Sequence, residues 1–213
     1  MDGTSWSWIV LFCLGAFHGI NPGMGWLFAV ALGMQERSQK AVWWALLPLG
    51  LGHLLAIAVV ILLAIFAGWV VPISSLRIPV AVALAGMGVY RLFRHRHPRW
   101  GGMRMGIAGL TVWSFLMASA HGAGLMVLPV FINMTAHVQA ASCHAIHSAS
   151  ISGPMEGFLA SLVHSGGYLL VTAVVAWIVF EKLGLGLLRK AWFNLDLIWA
   201  AALIITAVLT LLI

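Results

Sequence analysis

Four histidines, His18, His53, His121 and His164, each stand inside a long apolar run of the chain. A polar ring in a hydrocarbon environment must find a partner. Imidazole offers three kinds: it ligates transition metals as a neutral donor, carries a proton near neutrality, and binds haem iron. Counting from the ends of their runs at about 1.5 Å per residue puts all four near the middle of a layer about 30 Å thick, with His164 nearer the outer face. A lone buried histidine is ordinarily a packing residue. Four at similar depth point to one shared site.

Their neighbours strengthen this reading. His18-Gly-Ile-Asn21-Pro22-Gly23-Met24-Gly25 places helix breakers directly after the first histidine, and His121-Gly-Ala-Gly124-Leu-Met126-Val-Leu-Pro129 repeats the theme. Such breaks free backbone carbonyls, which membrane depth tolerates only beside a cavity or a neighbouring helix that satisfies them. The same glycines and prolines also serve close helix packing. Asn21, Met24, Ser119, Met126 and Ser165 are the auxiliary groups within reach along the sequence. Asp2, Glu36, Glu156, Glu181 and Asp196 are all expected at termini or in loops, so no carboxylate serves a hard-cation site. Neutral imidazole, with help from Met, suits nickel, cobalt, zinc or copper. Protonated imidazole suits an anion, and in proton-coupled transport histidine would carry the proton.

The elements that must hold these residues follow from composition. The 213 residues are 62% hydrophobic and 8% charged, against about 25% charged in soluble domains. Eleven basic and five acidic side chains do not make a water-exposed surface. Continuous apolar runs exclude a barrel and predict helices at 8–34, 41–71, 78–93, 107–133, 158–180 and 195–213. The third is short and is helped by snorkelling of Arg91 and Arg94. Residues 5–20 lack a basic leader and a cleavage site, and read as the first spanning helix. Ten of the eleven basic residues fall in alternate loops, with Arg77 alone on the other side. That places both termini outside the cytoplasm, in a membrane of bacterial inner-membrane type. The basic residues carry no nucleic-acid motif. Cys13 lies in an apolar helix and Cys143 in a polar loop, so no disulfide framework is expected.

The histidines also reveal a repeat. Phe12 precedes His18-Gly19 by six residues, as Phe115 precedes His121-Gly122. Gly50-Leu-Gly-His53-Leu-Leu in the second segment is answered by Val163-His164-Ser-Gly-Gly-Tyr-Leu-Leu in the fifth. The expected fold is therefore an all-α integral membrane protein of six transmembrane helices in two inverted three-helix repeats, 5–94 and 105–213, joined by a basic linker at 94–104 within one domain. The outer loop at 135–154 holds His137, Cys143, His144 and His147, which either capture a metal or form a solvated polar loop. His95 and His97 belong to the basic anchor.

At His18-Gly-Ile-Asn-Pro-Gly, echoed at His121-Gly122, the chain resembles the LysE-type transporter superfamily, which holds nickel/cobalt exporters, cadmium-resistance proteins and thiol-electron carriers. The resemblance implies two inverted three-helix repeats with Pro and Gly in the first helix of each. Nickel/cobalt exporters keep an acidic residue close to the histidine of their motif, absent here. Thiol carriers place a cysteine in the first helix of each repeat, and only Cys13 answers to that. The substrate is therefore left open. The first expectation is a transporter, more a carrier than an enzyme, moving a transition-metal ion or small solute through a midplane histidine site, as a monomer or homo-oligomer in the lipid bilayer. The second is a haem-binding electron-transfer subunit with histidine axial ligands. A membrane metalloenzyme ranks last, for want of an intramembrane carboxylate as acid or base.

Overall fold

The computed structural model describes residues 3–93, 106–141, 149–183 and 195–212, with side chains described over 5–72, 75–93, 106–135, 154–182 and 197–212. All regular structure among these residues is helical. The helices are α1 (Gly3–Ile20), α2 (Trp26–Gln35), α3 (Gln39–Gly68), α4 (Arg77–Phe93), α5 (Ile107–Ala120), α6 (Ala123–Ala141), α7 (Ala149–Ile178) and α8 (Leu195–Leu212). Short 3-10 turns at Pro22–Met24 and Ile73–Leu76 and a π turn at Val179–Leu183 complete them.

The helices are apolar on their outward faces as well as inward. On α3, Ala56, Ile57 and Ile61 are buried while Leu47, Leu51, Leu55 and Leu62 are exposed. A helix hydrophobic all round belongs in a protein core or in lipid. Gln39–Gly68 and Pro154–Lys182 are each long and apolar enough to cross a membrane. Ile107–Ala120 with Ala123–Thr135, bent by 62°, makes a third if the pair is one span.

The expected first and fourth segments are each two helices. After α1, Asn21 turns extended (φ −70°, ψ 121°) ahead of Pro22, as a residue before proline prefers. Asn21 Oδ1 then accepts the Gly23 N–H at 2.9 Å. Gly25, at φ 145°, adopts a conformation that a Cβ would obstruct, and α2 starts from it. In the other half the break needs Gly122 alone, at φ 74°, with His121 as the last cap of α5. Pro129 ends nothing. It lies inside α6, just as Pro48 lies inside α3.

Two further expectations are corrected. The outer loop at 135–154 is helical at both ends, since α6 runs on to Ala141 and α7 begins at Ala149. Glu156, expected in a loop, sits inside α7 and within its apolar span. The cause is local. Pro154, two residues before Glu156, reads as a helix boundary, but α7 begins earlier at Ala149 and runs through it.

Three helix pairs carry the most extensive packing: α1 with α7, α3 with α5, and α4 with α8. Glycine allows each approach. A Cβ on Gly15 would run into the His164 carbonyl, one on Gly52 into the Thr111 carbonyl, and one on Gly88 into Ile204 and the Ala200 carbonyl. Contacts of Gly15 with His164 and of Gly19 with Tyr168 and Thr172 advance together, so α1 and α7 run parallel. Gly50 meets Leu169 while Gly157 meets Ile61, so α3 and α7 are antiparallel. Small residues at the seam are how helices approach when lipid leaves little hydrophobic drive between them.

Candidate functional site

Three of the four histidines come together. His18 on α1, His53 on α3 and His164 on α7 are fully buried. Their ring centroids are 5.6 Å (18–53), 5.1 Å (18–164) and 5.5 Å (53–164) apart. The glycine seam of α1 on α7 sets the first pair, because Gly15 lies against the His164 backbone. The antiparallel crossing of α3 on α7 sets the third.

Hydrogen bonding leaves this triad short of partners. His18 Nδ1 is within 2.8 Å of the Leu14 carbonyl, one turn back on its own helix. His18 Nε2 and both ring nitrogens of His53 and His164 are buried with no hydrogen-bond partner. The Leu11 carbonyl faces the His164 ring at a geometry short of a full bond. Each unmet buried polar group costs about 1–3 kcal/mol. Five such nitrogens lie together in the triad.

Rings enclose the triad. Tyr168 lies flat on His53, with centroids 3.9 Å apart and planes within 11°. The Tyr168 hydroxyl donates to the Met24 carbonyl at 2.6 Å, anchoring the ring to the break after α1. Trp199 of α8 meets His18 edge-on at 4.7 Å and stacks on Phe17 at 4.6 Å.

His121 is buried too, but it reaches the triad through Trp199. The two rings are 5.3 Å apart, and the Trp199 indole N–H donates to the His121 carbonyl at 2.9 Å. His121 Nδ1 is within 2.8 Å of the Met117 carbonyl, the same one-turn-back arrangement that His18 makes with Leu14.

The carbonyls freed by the two breaks are satisfied by neighbouring side chains. Ile20 receives the Trp26 indole N–H at 3.0 Å, and Gly23 the Trp113 indole at 3.4 Å. In the second break Ala120 receives Arg91 at 2.7 Å. Arg91, expected to snorkel toward a loop, is thus turned to a helix end.

The auxiliary candidates divide. Asn21 is spent on capping its own turn. Met24 and Met126 are buried in the main core. Ser119 is exposed, and its carbonyl accepts the Gly122 N–H. Ser165 is buried with an unpartnered hydroxyl, and lines an apolar groove between α3, α5 and α7 with Pro48, Gly50 and Thr111. Cys13 is exposed as a free thiol. Cys143, His144 and His147 lie outside the described residues, as does the side chain of His137.

Sequence reasoning missed Tyr168 and Trp199. Tyr168 was within reach, since it follows His164 by one helical turn on the same face. Nothing local marks Trp199.

Whether the donors fit an ion can be judged from spacing. Imidazole ligands with metal–nitrogen distances of about 2.0–2.1 Å place ring centroids about 5.2 Å apart in tetrahedral and about 5.5 Å apart in trigonal geometry. The triad has that spacing. Its nitrogens do not converge on one point: among the described residues no group of three or more His, Cys, Asp or Glu is placed to hold a metal ion. The planes of His53 and His164 are parallel within 2°, so ligation asks the rings to turn about their side-chain torsions. Comparison with known proteins assigns no family: no family model, curated protein or solved structure matches the chain.

Proposed function

We propose that this protein is a small membrane transporter that moves a transition-metal ion through the His18–His53–His164 triad. The observation that carries the reading is the set of five unpartnered nitrogens on three fully buried imidazoles at ligand spacing. An ion bound there would meet groups that otherwise destabilise the core.

The reading takes the chain as six spans in two inverted repeats, with α1–α2 and α5–α6 each a broken span. Several observations support this. Exchanging first with fourth, second with fifth and third with sixth segments turns the α1–α7 pair into α5–α3 and leaves α4–α8 as itself. These are the three principal packings. Both broken spans carry a histidine just before the break, held by the same one-turn-back bond. Discontinuous helices at matching positions of inverted halves are where transporters build their sites.

Gly33, near the end of α2, lies against Val42 of α3 and Phe180 after α7, which brings exposed Arg37, Lys40 and Lys182 toward one end. A basic end of this kind faces the cytoplasm, with the termini on the other side, in a bacterial inner membrane.

The spacing works against haem. Two axial imidazoles on opposite faces of one iron have centroids more than about 6 Å apart, and each triad pair is closer. Trp199 fills the space that a porphyrin edge would need beside His18.

The test is flux. Proteoliposomes containing the full chain should accumulate or release metal in a gradient, and His18→Ala or His164→Ala should abolish it. Metal flux unchanged in both variants would overturn the proposal. A Soret band in the purified protein would favour the haem reading.

A further inference from the structure

We infer that a water-accessible path runs along the buried face of α7, from Glu156 past His164 to Thr172, with Tyr168 as its gate. The inference rests on the transport reading for its purpose and assigns the route, whatever the cargo.

The ground is the way α7 distributes its polarity. Within the span Pro154–Lys182, Leu159, Leu162, Leu170 and Val174 are exposed. Ser161, His164, Ser165, Tyr168 and Thr172 are all buried, and Glu156 stands at the edge of the same face. Steps of three or four residues keep this row on one side of the helix. Polar side chains turned inward in a membrane either bond to their surroundings or line water.

Bonding accounts for part of the row. Ser161 donates to the Gly157 carbonyl at 2.8 Å, and Tyr168 to the Met24 carbonyl at 2.6 Å. Glu156 Oε2, both His164 ring nitrogens, Ser165 Oγ and Thr172 Oγ1 are buried with no hydrogen-bond partner. The unmet nitrogens of His18 and His53 face the row at His164. Unmet polar atoms thus continue past the triad in both directions along α7. Each costs stability while the row is dry, and water satisfies them when it is open.

Tyr168 closes the row between His164 and Thr172. Its ring lies on His53 at 3.9 Å, and its hydroxyl is latched to the Met24 carbonyl in the break after α1. Gly25 makes room for the latch, since a Cβ there would lie 2.9 Å from the Tyr168 hydroxyl. The Thr172 hydroxyl faces the latched end at a geometry short of a full bond. A movement at the break that withdraws the Met24 carbonyl frees the ring, which ties the gate to a discontinuous helix.

Cysteine accessibility in proteoliposomes tests the path, on a full chain carrying Cys13→Ser and Cys143→Ser. Ala160→Cys and Thr172→Cys are made on the row, Ala29→Cys on α2 and Ala200→Cys on α8. All four parent residues have 0% exposure, so burial alone gives no labelling at any of them. A small cationic methanethiosulfonate, which needs a thiolate in water, should label the two row positions and spare the other two. Tyr168→Phe, which removes the latch, should speed labelling of the Thr172→Cys chain several-fold. In the unmodified protein, which needs no variant to fold, hydroxyl radicals made from water should oxidise Tyr168 and spare Met126, which is also buried. No labelling on the row, equal labelling at all four positions, or an unoxidised Tyr168 would overturn the path. An unchanged rate with Tyr168→Phe would overturn the gate. Labelling without metal flux would uphold the path and sink the metal cargo, and metal flux without labelling would do the reverse.

Discussion

Trp199 joins the two halves of the histidine set: its indole N–H donates to the His121 carbonyl at 2.9 Å, while its ring stands perpendicular to His18 with centroids 4.7 Å apart. The contact ties the break after α5 to the last residues of α1 through a helix that carries no histidine. Removing the indole N–H should therefore be felt on both sides. Trp199→Phe leaves the His121 carbonyl buried without its donor, and should lower stability by about 1–3 kcal/mol. Thermal unfolding in detergent measures it. An unchanged midpoint would mean that the bond contributes nothing.

The triad predicts an unusual trade between stability and binding. His53 has two buried nitrogens with no partner, so replacing it by a similar apolar side chain removes a penalty. His53→Leu should raise the unfolding midpoint of the metal-free protein, by about 1–3 kcal/mol in stability. On the proposed metal reading, wild type should also gain a rise in midpoint from added metal that the same variant lacks. A destabilised metal-free variant would argue that His53 is held by packing alone.

The glycine seam of α1 on α7 leaves no room for a methyl group at Gly15, where a Cβ would run into the His164 carbonyl. Backbone does not yield as a side chain tip does. Gly15→Ala should cost about 3 kcal/mol or more through overpacking and push His164 away from His18. Gly166→Ala, where nothing lies near the added atom, is the control and should be neutral or stabilising. Equal midpoints for the two variants would contradict the seam.

Gly122 sits at φ 74° in the break between α5 and α6. An L side chain there costs about 1–2 kcal/mol, more if β-branched. Its added atom would also meet Met87. Gly122→Ala should lower stability by that amount, and Gly122→Val by more, in a denaturation series. The reverse order would show that the break needs no glycine.

Tyr168 combines two roles that a single atom separates. Tyr168→Phe keeps the ring on His53 but removes the 2.6 Å bond to the Met24 carbonyl. Stability should fall by about 1–3 kcal/mol, while the ring geometry at His53 persists. A histidine resonance shift at position 53 as large as that of Tyr168→Ala would refute the separation.

Much of this protein is set by local sequence. Apolar runs give helices throughout the described residues, and outer faces this apolar suit a membrane. The breaks were legible too, since Pro22 and Gly25 restrict or require particular torsions at their own positions. So was the burial of His18, His53 and His164, from polarity at apolar positions.

Similar depth suggested that the four histidines meet, but which of them do was not legible. Only packing decides which face of a helix turns inward, and here Gly15, Gly52 and Gly88 let partners approach closely enough to choose it. That choice draws three histidines into a triangle and leaves His121 across Trp199, although spacing along the chain treats all four alike. Glu156 lies inside α7 because the helix runs through Pro154 from Ala149. Sequence determines what each residue can tolerate within a turn or two. Tertiary structure decides who meets whom, because that depends on how whole helices are rotated and crossed.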